Sequence, residues 1–206
     1  MNENNLPIIA GIDEVGRGCL AGPVVASAVV LPNKFDLPHL RDSKKLTPKQ
    51  REFLEIRIKE TAIAWAIGLA THREIDSINI LQASLLAMKR AFCRLSIRPD
   101  LVYVDGIHAP HIDVHLICVK RGDDLVPQIS AASILAKTYR DNIMKKLDKN
   151  FPGYGFAIHK GYATRYHLEK LKAMGPSRIH RKSFKGVKEL IELRHCQLTL
   201  KDYYTG

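Results

Sequence analysis

The chain has few cysteines and no long apolar run. Its 206 residues include four cysteines, which are scattered, with no C-x-x-C pair and no histidine at zinc-ligand spacing. They are typical of reduced thiols in an intracellular protein. No basic segment followed by an apolar stretch opens the sequence, and the longest apolar run, Cys19 to Leu31, is interrupted by Gly22 and Pro23. We therefore expect a soluble, cytoplasmic protein with no membrane partner.

The sequence also lacks the short motifs of several large enzyme classes. It contains no G-x-x-x-x-G-K-[ST] loop, no G-x-S-x-G elbow and no H-E-x-x-H helix. Acidic residues are outnumbered, since 32 Lys and Arg against 21 Asp and Glu leave a net charge of +11. Basic proteins attract polyanions, because each neutralised phosphate releases counterions. A generally basic, soluble surface is the alternative, and charge alone does not separate the two.

Hydrophobic patterning predicts strands and helices in alternation, and the length is normal for one domain. The predicted strands are residues 8–12, 24–31, 62–70, 101–104 and 114–119. The predicted helices are residues 47–61, 77–95 and 130–147, with two short ones near 165–173 and 186–193. This order indicates an α/β fold around one sheet. We expect residues 1–150 to form the core and residues 151–206 a C-terminal helical extension of the same unit.

Acidic residues lie where strands end. Asp13 and Glu14 close the first apolar strand, Asp105 follows the fourth, and Asp123 and Asp124 precede the long helix. Ligand sites of open α/β sheets lie outside strand ends, and clustered carboxylates repel one another unless a cation lies between them. Oxygen ligands suit Mg²⁺ or Mn²⁺, and a pair of such ions activates water in phosphoryl transfer. With the basic charge, the pattern predicts a metal-dependent enzyme acting on nucleic-acid phosphodiesters.

Each acid also has a simpler interpretation. A single aspartate after a strand is more often a turn or cap residue, and Asp105-Gly106 alone is a common turn dipeptide. Neighbours on a regular strand face opposite sides, so Asp13 and Glu14 reach one pocket only through a local distortion. Gly16 and Gly18 would permit that distortion.

Long motifs in sequence order carry a family resemblance. They are GIDEVGRGCLAGPVVASAVV, DSKKL, INILQASLLAM, YVDG, GDDLVPQISAASILAKTYRD, FPGYGFAIHKGYATRYHLEKL and HRKSF. In order and spacing, from about Ile8 to Lys188, they resemble bacterial ribonuclease HII, the type 2 ribonuclease H. The resemblance implies a ribonuclease H-like fold, with a central mixed sheet flanked by helices and a small helical C-terminal subdomain that contacts substrate.

The same resemblance implies a catalytic two-metal centre of Mg²⁺ or Mn²⁺. Its acids would be Asp13, Glu14, Asp105 and Asp123. The family usually has serine after the last of these acids, where this chain has Asp124, so either neighbour could complete the site. Asp123 keeps the motif position beside Gly122 and is preferred. Asp141, in the middle of the long helix, is expected in an ion pair or hydrogen bond.

The resemblance further implies contacts with substrate. The segment Gly16-Arg17-Gly18 would read a ribose 2′-hydroxyl through its backbone, and Tyr162 would stack on the deoxyribose at an RNA–DNA junction. Further family positions that hold phosphates are Ser43, Lys44, Lys45 and Asn79. A single lysine is more often a solvated surface charge. Cys19 stands where many relatives have proline and is not expected to be catalytic.

These features predict a monomeric endoribonuclease that hydrolyses the RNA strand of RNA–DNA hybrids. It would also cut 5′ to ribonucleotides embedded in duplex DNA, leaving 3′-hydroxyl and 5′-phosphate ends, and so help to remove misincorporated ribonucleotides. One rival is ribonuclease HIII, which typically carries an N-terminal substrate-binding domain for which we expect no room here. The other is a non-catalytic nucleic-acid-binding module, although retained acids would repel phosphate in the absence of metals.

Overall fold

A five-stranded mixed sheet forms the centre of the molecule in a computed structural model that describes residues 6–40 and 46–193. The strands lie in the order β3-β2-β1-β4-β5. Strands β1 to β3 pair antiparallel, whereas β4 is parallel to both β1 and β5. Their bounds are Ile9–Val15 (β1), Val24–Val30 (β2), Ala64–Ala70 (β3), Leu101–Asp105 (β4) and His115–Val119 (β5). This is the α/β architecture with a mixed sheet that the patterning and the resemblance predicted.

Helices cover both faces of the sheet. Their bounds are Pro48–Thr61 (α1), His72–Cys93 (α2), Gly122–Leu125 (α3), Pro127–Asn150 (α4), Phe156–His159 (α5) and Arg165–Met174 (α6), and residues 188–193 are also helical. Helix α2 packs on one face through alanines, and α4 with α1 packs on the other. The approach is close, since a Cβ at Gly11 would lie 2.2 Å from the backbone of Gln128 in α4. Every residue of β2 is buried, as expected for a strand covered on both sides.

Several element boundaries differ from the predictions, for local reasons. Helix α2 begins at His72, ahead of the predicted start at 77, because Thr71 and Glu74 form a capping box there. Strand β1 continues to Val15, so Asp13 and Glu14 lie within the strand and not after it. Helices α3 and α5, with four residues each, were not predicted, because they are too short to show periodicity.

The C-terminal residues pack around the turn that follows β1. Cys19 forms a bridge with Tyr162, and Ala21 forms one with His180. The backbone N–H of Leu20 donates to the Gly161 carbonyl at 2.8 Å. These contacts position residues 159–181 beside residues 16–23. Within residues 6–40 and 46–193, no helix is both long and apolar enough to cross a bilayer.

Candidate active site

The parallel pairing of β1 and β4 brings two acids together. The register aligns Ile12 with Val104, so the next residues, Asp13 and Asp105, lie side by side where β4 ends. The backbone N–H of Gly122, the first residue of α3, donates to Oδ1 of Asp105 at 2.7 Å. Strand register therefore places Asp13, within β1, next to Asp105, the last residue of β4.

Asp13 and Glu14 point to opposite faces of the sheet. Asp13 faces α4, where the side chain of Ser133 is near enough to lower its pKa, and its Oδ1 accepts from the Glu14 N–H at 2.7 Å. Glu14 faces α2 and lines a cavity of about 140 Å³ together with Ser84 and Asp105. Strand alternation is thus kept, and the distortion that we considered is absent from β1. Asp105 is near enough for its charge to raise the pKa of both Asp13 and Glu14.

The surroundings of these carboxylates disfavour their charge. Burial, the neighbouring Glu14 and the nearby Asp105 raise the pKa of Asp13, and the Ser133 side chain and the Glu14 N–H only partly oppose the rise. Burial also raises the pKa of Glu14, against the lowering effect of Arg17, whose Nη1 lies 3.1 Å from Oε1. Oε2 of Glu14 is buried and has no hydrogen-bond partner among the described residues. An added cation would satisfy both the charge and the unpartnered oxygen.

The candidates for the fourth acid differ in their surroundings. Asp123 is buried in α3, and its backbone carbonyl accepts a hydrogen bond from the Ser130 hydroxyl. Asp124 binds Arg121 through its carboxylate at 2.9 Å. Asp123 directly follows Gly122, which holds Asp105. Across the described ranges, no group of three or more His, Cys, Asp and Glu side chains has the arrangement of a metal cage.

The Gly16-Arg17-Gly18 turn and Tyr162 lie next to each other. Gly16 is buried with φ +94°, whereas Arg17 and Gly18 are exposed. Tyr162 is 38% exposed, and the Nζ atom of Lys137 lies 5.7 Å from its ring centre. Since Arg17 binds Glu14 and Cys19 bridges to Tyr162, the turn connects the acids with this aromatic ring.

The remaining predicted positions have varied outcomes. Asn79 has φ 66° at a kink in α2, and its Oδ1 accepts from the Gln82 N–H at 3.1 Å, so it caps the second half of that helix. Ser43, Lys44 and Lys45 lie outside the described residues. Asp141 accepts from Lys137 at 2.7 Å, which confirms the expected ion pair.

Two buried arginines near this site were missed from the sequence. Arg140 and Arg181 are fully buried, and each guanidinium binds main-chain carbonyl oxygens of residues 16–23. A signal existed for Arg140, which lies four positions after Ala136 and four before Met144 and so on the buried face of α4. For Arg181 no periodic pattern exists, because it lies outside a regular element.

Known proteins resemble this chain in sequence and fold. A model of the family described as Ribonuclease HII matches residues 10–187. The ribonuclease HII of Nitrosospira multiformis is 53% identical over 191 residues, covering 93% of this chain and 96% of its own. The crystal structure of ribonuclease H2 from Pyrococcus horikoshii OT3 is 28% identical with a TM-score of 0.74, covering 89% of this chain and 97% of its own.

A more distant likeness extends to the fold alone. Bst-RNase HIII, whose crystal structure is a complex with Mn²⁺, is 18% identical with a TM-score of 0.66, covering 91% of this chain and 70% of its own. The predicted ribonuclease H-like fold is confirmed by these likenesses.

Proposed function

Because the chain belongs to the ribonuclease HII family and is therefore a ribonuclease H hydrolase, we propose that it cuts the RNA strand of RNA–DNA hybrids and the 5′ side of ribonucleotides embedded in duplex DNA. The products would carry 3′-hydroxyl and 5′-phosphate ends, in keeping with removal of misincorporated ribonucleotides. The observation that carries the proposal is the placement of Asp13, Glu14 and Asp105 near enough to influence one another's charge, with Glu14 bound to Arg17 of the Gly16-Arg17-Gly18 turn.

Buried carboxylates with raised pKa values and an unpartnered oxygen suit a divalent cation as a partner. Glu14 has a buried oxygen without a hydrogen-bond partner in the described part of the chain, and Asp13 and Glu14 both have raised pKa values. We propose that two Mg²⁺ or Mn²⁺ ions would be held by Asp13, Glu14, Asp105 and Asp123. When bound, such ions activate water and stabilise the leaving oxygen of a phosphodiester. Asp123 is preferred to Asp124, since the Asp124 carboxylate already binds Arg121.

The chain's own residues would bind and orient the substrate. We assign Gly16, Arg17 and Gly18 to the ribonucleotide, and Tyr162 to the sugar of the next deoxynucleotide. The exposed backbone at Arg17 and Gly18 and the half-exposed ring of Tyr162 support this assignment. We assign phosphate contacts to Ser43, Lys44, Lys45 and Asn79. Residues 151–206 are proposed to be a substrate-contacting extension of the core formed by residues 1–150. The working unit is proposed to be a monomer.

A cleavage assay tests the proposal directly. A labelled DNA duplex with one ribonucleotide is incubated with the protein in Mg²⁺ or Mn²⁺ and, separately, in EDTA, beside an RNA–DNA hybrid. We expect one cut on the 5′ side of the ribonucleotide, cleavage of the hybrid, and neither reaction in EDTA. A duplex left intact in both metals would contradict the proposed substrate, and cleavage in EDTA would contradict the metal centre.

A further inference from the structure

Two guanidinium groups are buried beneath the turn that follows β1. Arg181 donates from Nη2 to the Gly16 carbonyl at 2.7 Å, from Nη1 to the Arg17 carbonyl at 2.8 Å and from Nε to the Gly22 carbonyl at 3.1 Å. Arg140 donates in the same manner to the carbonyls of Pro23, Ala21 and Lys160. Charged side-chain donors therefore fix the carbonyl groups on the buried side of residues 16–23.

This arrangement is costly for the fold. A buried charge loses its hydration, and burial lowers the pKa of Arg181 to about 10, with the nearby positive Arg140 adding to the fall. Carbonyl oxygens are neutral partners and compensate a cation less than a carboxylate does. A cost of this kind at the edge of a candidate active site indicates that the direction of these carbonyls matters.

The direction of a carbonyl fixes the direction of the next amide. In a trans peptide the C=O and the following N–H point in opposite directions, and the described residues contain no cis peptide. Because the Gly16 carbonyl points inward to Arg181, the N–H of Arg17 points outward. The inward Arg17 carbonyl likewise turns the Gly18 N–H outward.

Both outward amides are available to a ligand. Arg17 and Gly18 are exposed, and neither amide donates to an acceptor within residues 6–40 and 46–193. No atom comes within 4 Å of the position that a Cβ on Gly18 would take. Successive N–H groups directed to one side form a binding place for an oxygen acceptor.

We propose that Arg181 is a positioning residue for ribose recognition. By binding the carbonyls of Gly16 and Arg17, it presents the N–H groups of Arg17 and Gly18 as a fixed pair of donors to the 2′-oxygen of the ribonucleotide. Arg181 itself touches no substrate, since it is fully buried. The inference rests on the proposed function, because it requires that the Gly16-Arg17-Gly18 turn meets a ribonucleotide.

Arg140 provides a matched control for Arg181. Both side chains are fully buried and bind three main-chain carbonyls each. The carbonyls of Gly16 and Arg17, however, are bound by Arg181 alone of the two. Arg140 also packs against Gly16 and lies 5.8 Å from the centre of the Tyr162 ring, so Arg140→Lys controls for general loosening of the turn. Only Arg181→Lys removes the hydrogen bonds to the two carbonyls that direct the amides.

The experiment compares binding to two duplexes, identical except that one carries a single ribonucleotide. An Asp105→Asn background prevents cleavage, and Arg181→Lys or Arg140→Lys is added to it. We expect the Asp105→Asn protein to prefer the ribonucleotide duplex, and Arg181→Lys to reduce this preference about tenfold, as loss of two aligned hydrogen bonds would. The affinity for the all-DNA duplex stays unchanged, and Arg140→Lys keeps the preference.

The outcomes separate this inference from the proposed function. An Arg181→Lys protein that keeps the preference, or that loses affinity for both duplexes equally, would overturn the positioning role while the proposed function stands. Equal loss of affinity for both duplexes would indicate that the Arg17 and Gly18 amides contact a phosphate oxygen instead of the 2′-oxygen. A parent protein with no preference for the ribonucleotide would overturn the proposed function and this inference with it.

Amide hydrogen exchange tests the same inference without a variant at Arg181. In the ¹⁵N-labelled Asp105→Asn protein, the amides of Arg17 and Gly18 should exchange rapidly, since they face solvent. The ribonucleotide duplex should slow their exchange about tenfold relative to the all-DNA duplex. Amides that are already protected in the free protein, or that respond equally to both duplexes, would overturn the inference even if Arg181→Lys did not fold.

Discussion

Buried charge is handled in opposite ways in two neighbouring regions of the molecule. Beneath the turn after β1, Arg140 and Arg181 place their charged donors on main-chain carbonyls. At the edge of the sheet, Asp13 and Glu14 have raised pKa values, and Glu14 keeps a buried oxygen without a hydrogen-bond partner in the residues described. The chain supplies hydrogen-bond partners for its buried arginines, but it leaves the buried carboxylates without full compensation of their charge.

The difference follows from the donors and acceptors that each region supplies. A turn outside the sheet ladder has free carbonyl oxygens, which suit the several N–H groups of a guanidinium. A strand within the sheet uses most of its N–H groups in the ladder, so few donors remain for a carboxylate, and Asp13 receives only that of Glu14 from its own strand. Asp105 receives one such donor, the N–H of Gly122. We infer that the anionic region requires a partner from outside the chain, which agrees with a proposed metal centre.

The largest expected effect is the loss of cleavage when Asp105 becomes asparagine. The Asp105→Asn change keeps the shape of the side chain and the oxygen that accepts from the Gly122 N–H. It removes the negative charge of Asp105, which acts on both Asp13 and Glu14. Cleavage of a duplex with one ribonucleotide should fall by about a thousandfold or more, whereas folding and hybrid binding persist. Asp113→Asn, which alters an exposed acid, is the control and should retain full turnover. Unchanged turnover in Asp105→Asn would contradict the metal model.

The second effect is a loss of stability when a buried guanidinium is removed. Arg140→Met leaves one buried and two partly buried carbonyls without their donor, which should cost about 3 kcal/mol. At about 2–4 °C per kcal/mol for a chain of this size, thermal unfolding should begin roughly 10 °C lower. Arg178→Met, at an exposed position, should unfold with the parent protein. Equal melting of Arg140→Met and the parent would show that the carbonyls do not depend on this donor.

The third effect has the opposite sign. Asp13→Asn removes a buried charge that burial and Glu14 disfavour, while the amide oxygen still accepts from the Glu14 N–H. In EDTA at neutral pH the variant should therefore be more stable than the parent, by about 1 kcal/mol. Added Mg²⁺ or Mn²⁺ should stabilise the parent more than the variant. A less stable Asp13→Asn protein in EDTA would be evidence that the carboxylate is already compensated within the chain.

The same carboxylates predict a dependence of stability on pH. Since the pKa values of Asp13 and Glu14 are raised by folding, the folded state binds more protons than the unfolded chain between the two sets of pKa values. These two groups contribute stability at pH values below their unfolded pKa values and lose it as the pH rises through the folded ones. Chemical denaturation of the metal-free protein across this pH range measures the free energy of unfolding. That free energy should fall less with rising pH in Asp13→Asn than in the parent.

The smallest effect is expected at Asp124. Its carboxylate binds Arg121, an exposed side chain, and ion pairs of that kind contribute about 0–1 kcal/mol. Asp124→Asn should therefore cleave within about twofold of the parent, whereas Asp123→Asn should lose metal-dependent cleavage. The two variants are compared by metal titration of the cleavage rate. The reverse ranking would assign the fourth ligand to Asp124.

Much of the architecture was predictable because it depends on local pattern. The runs of Val, Ile and Ala in β1, β2 and β4 and the helical spacing in α2 and α4 led to an α/β fold with the strands in the right order along the chain. The acids at the ends of apolar strands, together with the long motifs, led to the ribonuclease HII family. The capping box of Thr71 and Glu74 is equally local, and it begins α2 at His72, ahead of the predicted start at 77.

The sequence by itself determined the strands and helices, the positions of the acids along them and the family. Only the tertiary structure decided that Asp13 faces α4 while Glu14 faces α2, because β1 continues regularly to Val15. It alone joined Arg181 to Gly16, whose positions are 165 residues apart in the chain. The physical reason is that periodicity is a property of neighbours in sequence, whereas the compensation of a buried charge depends on neighbours in space.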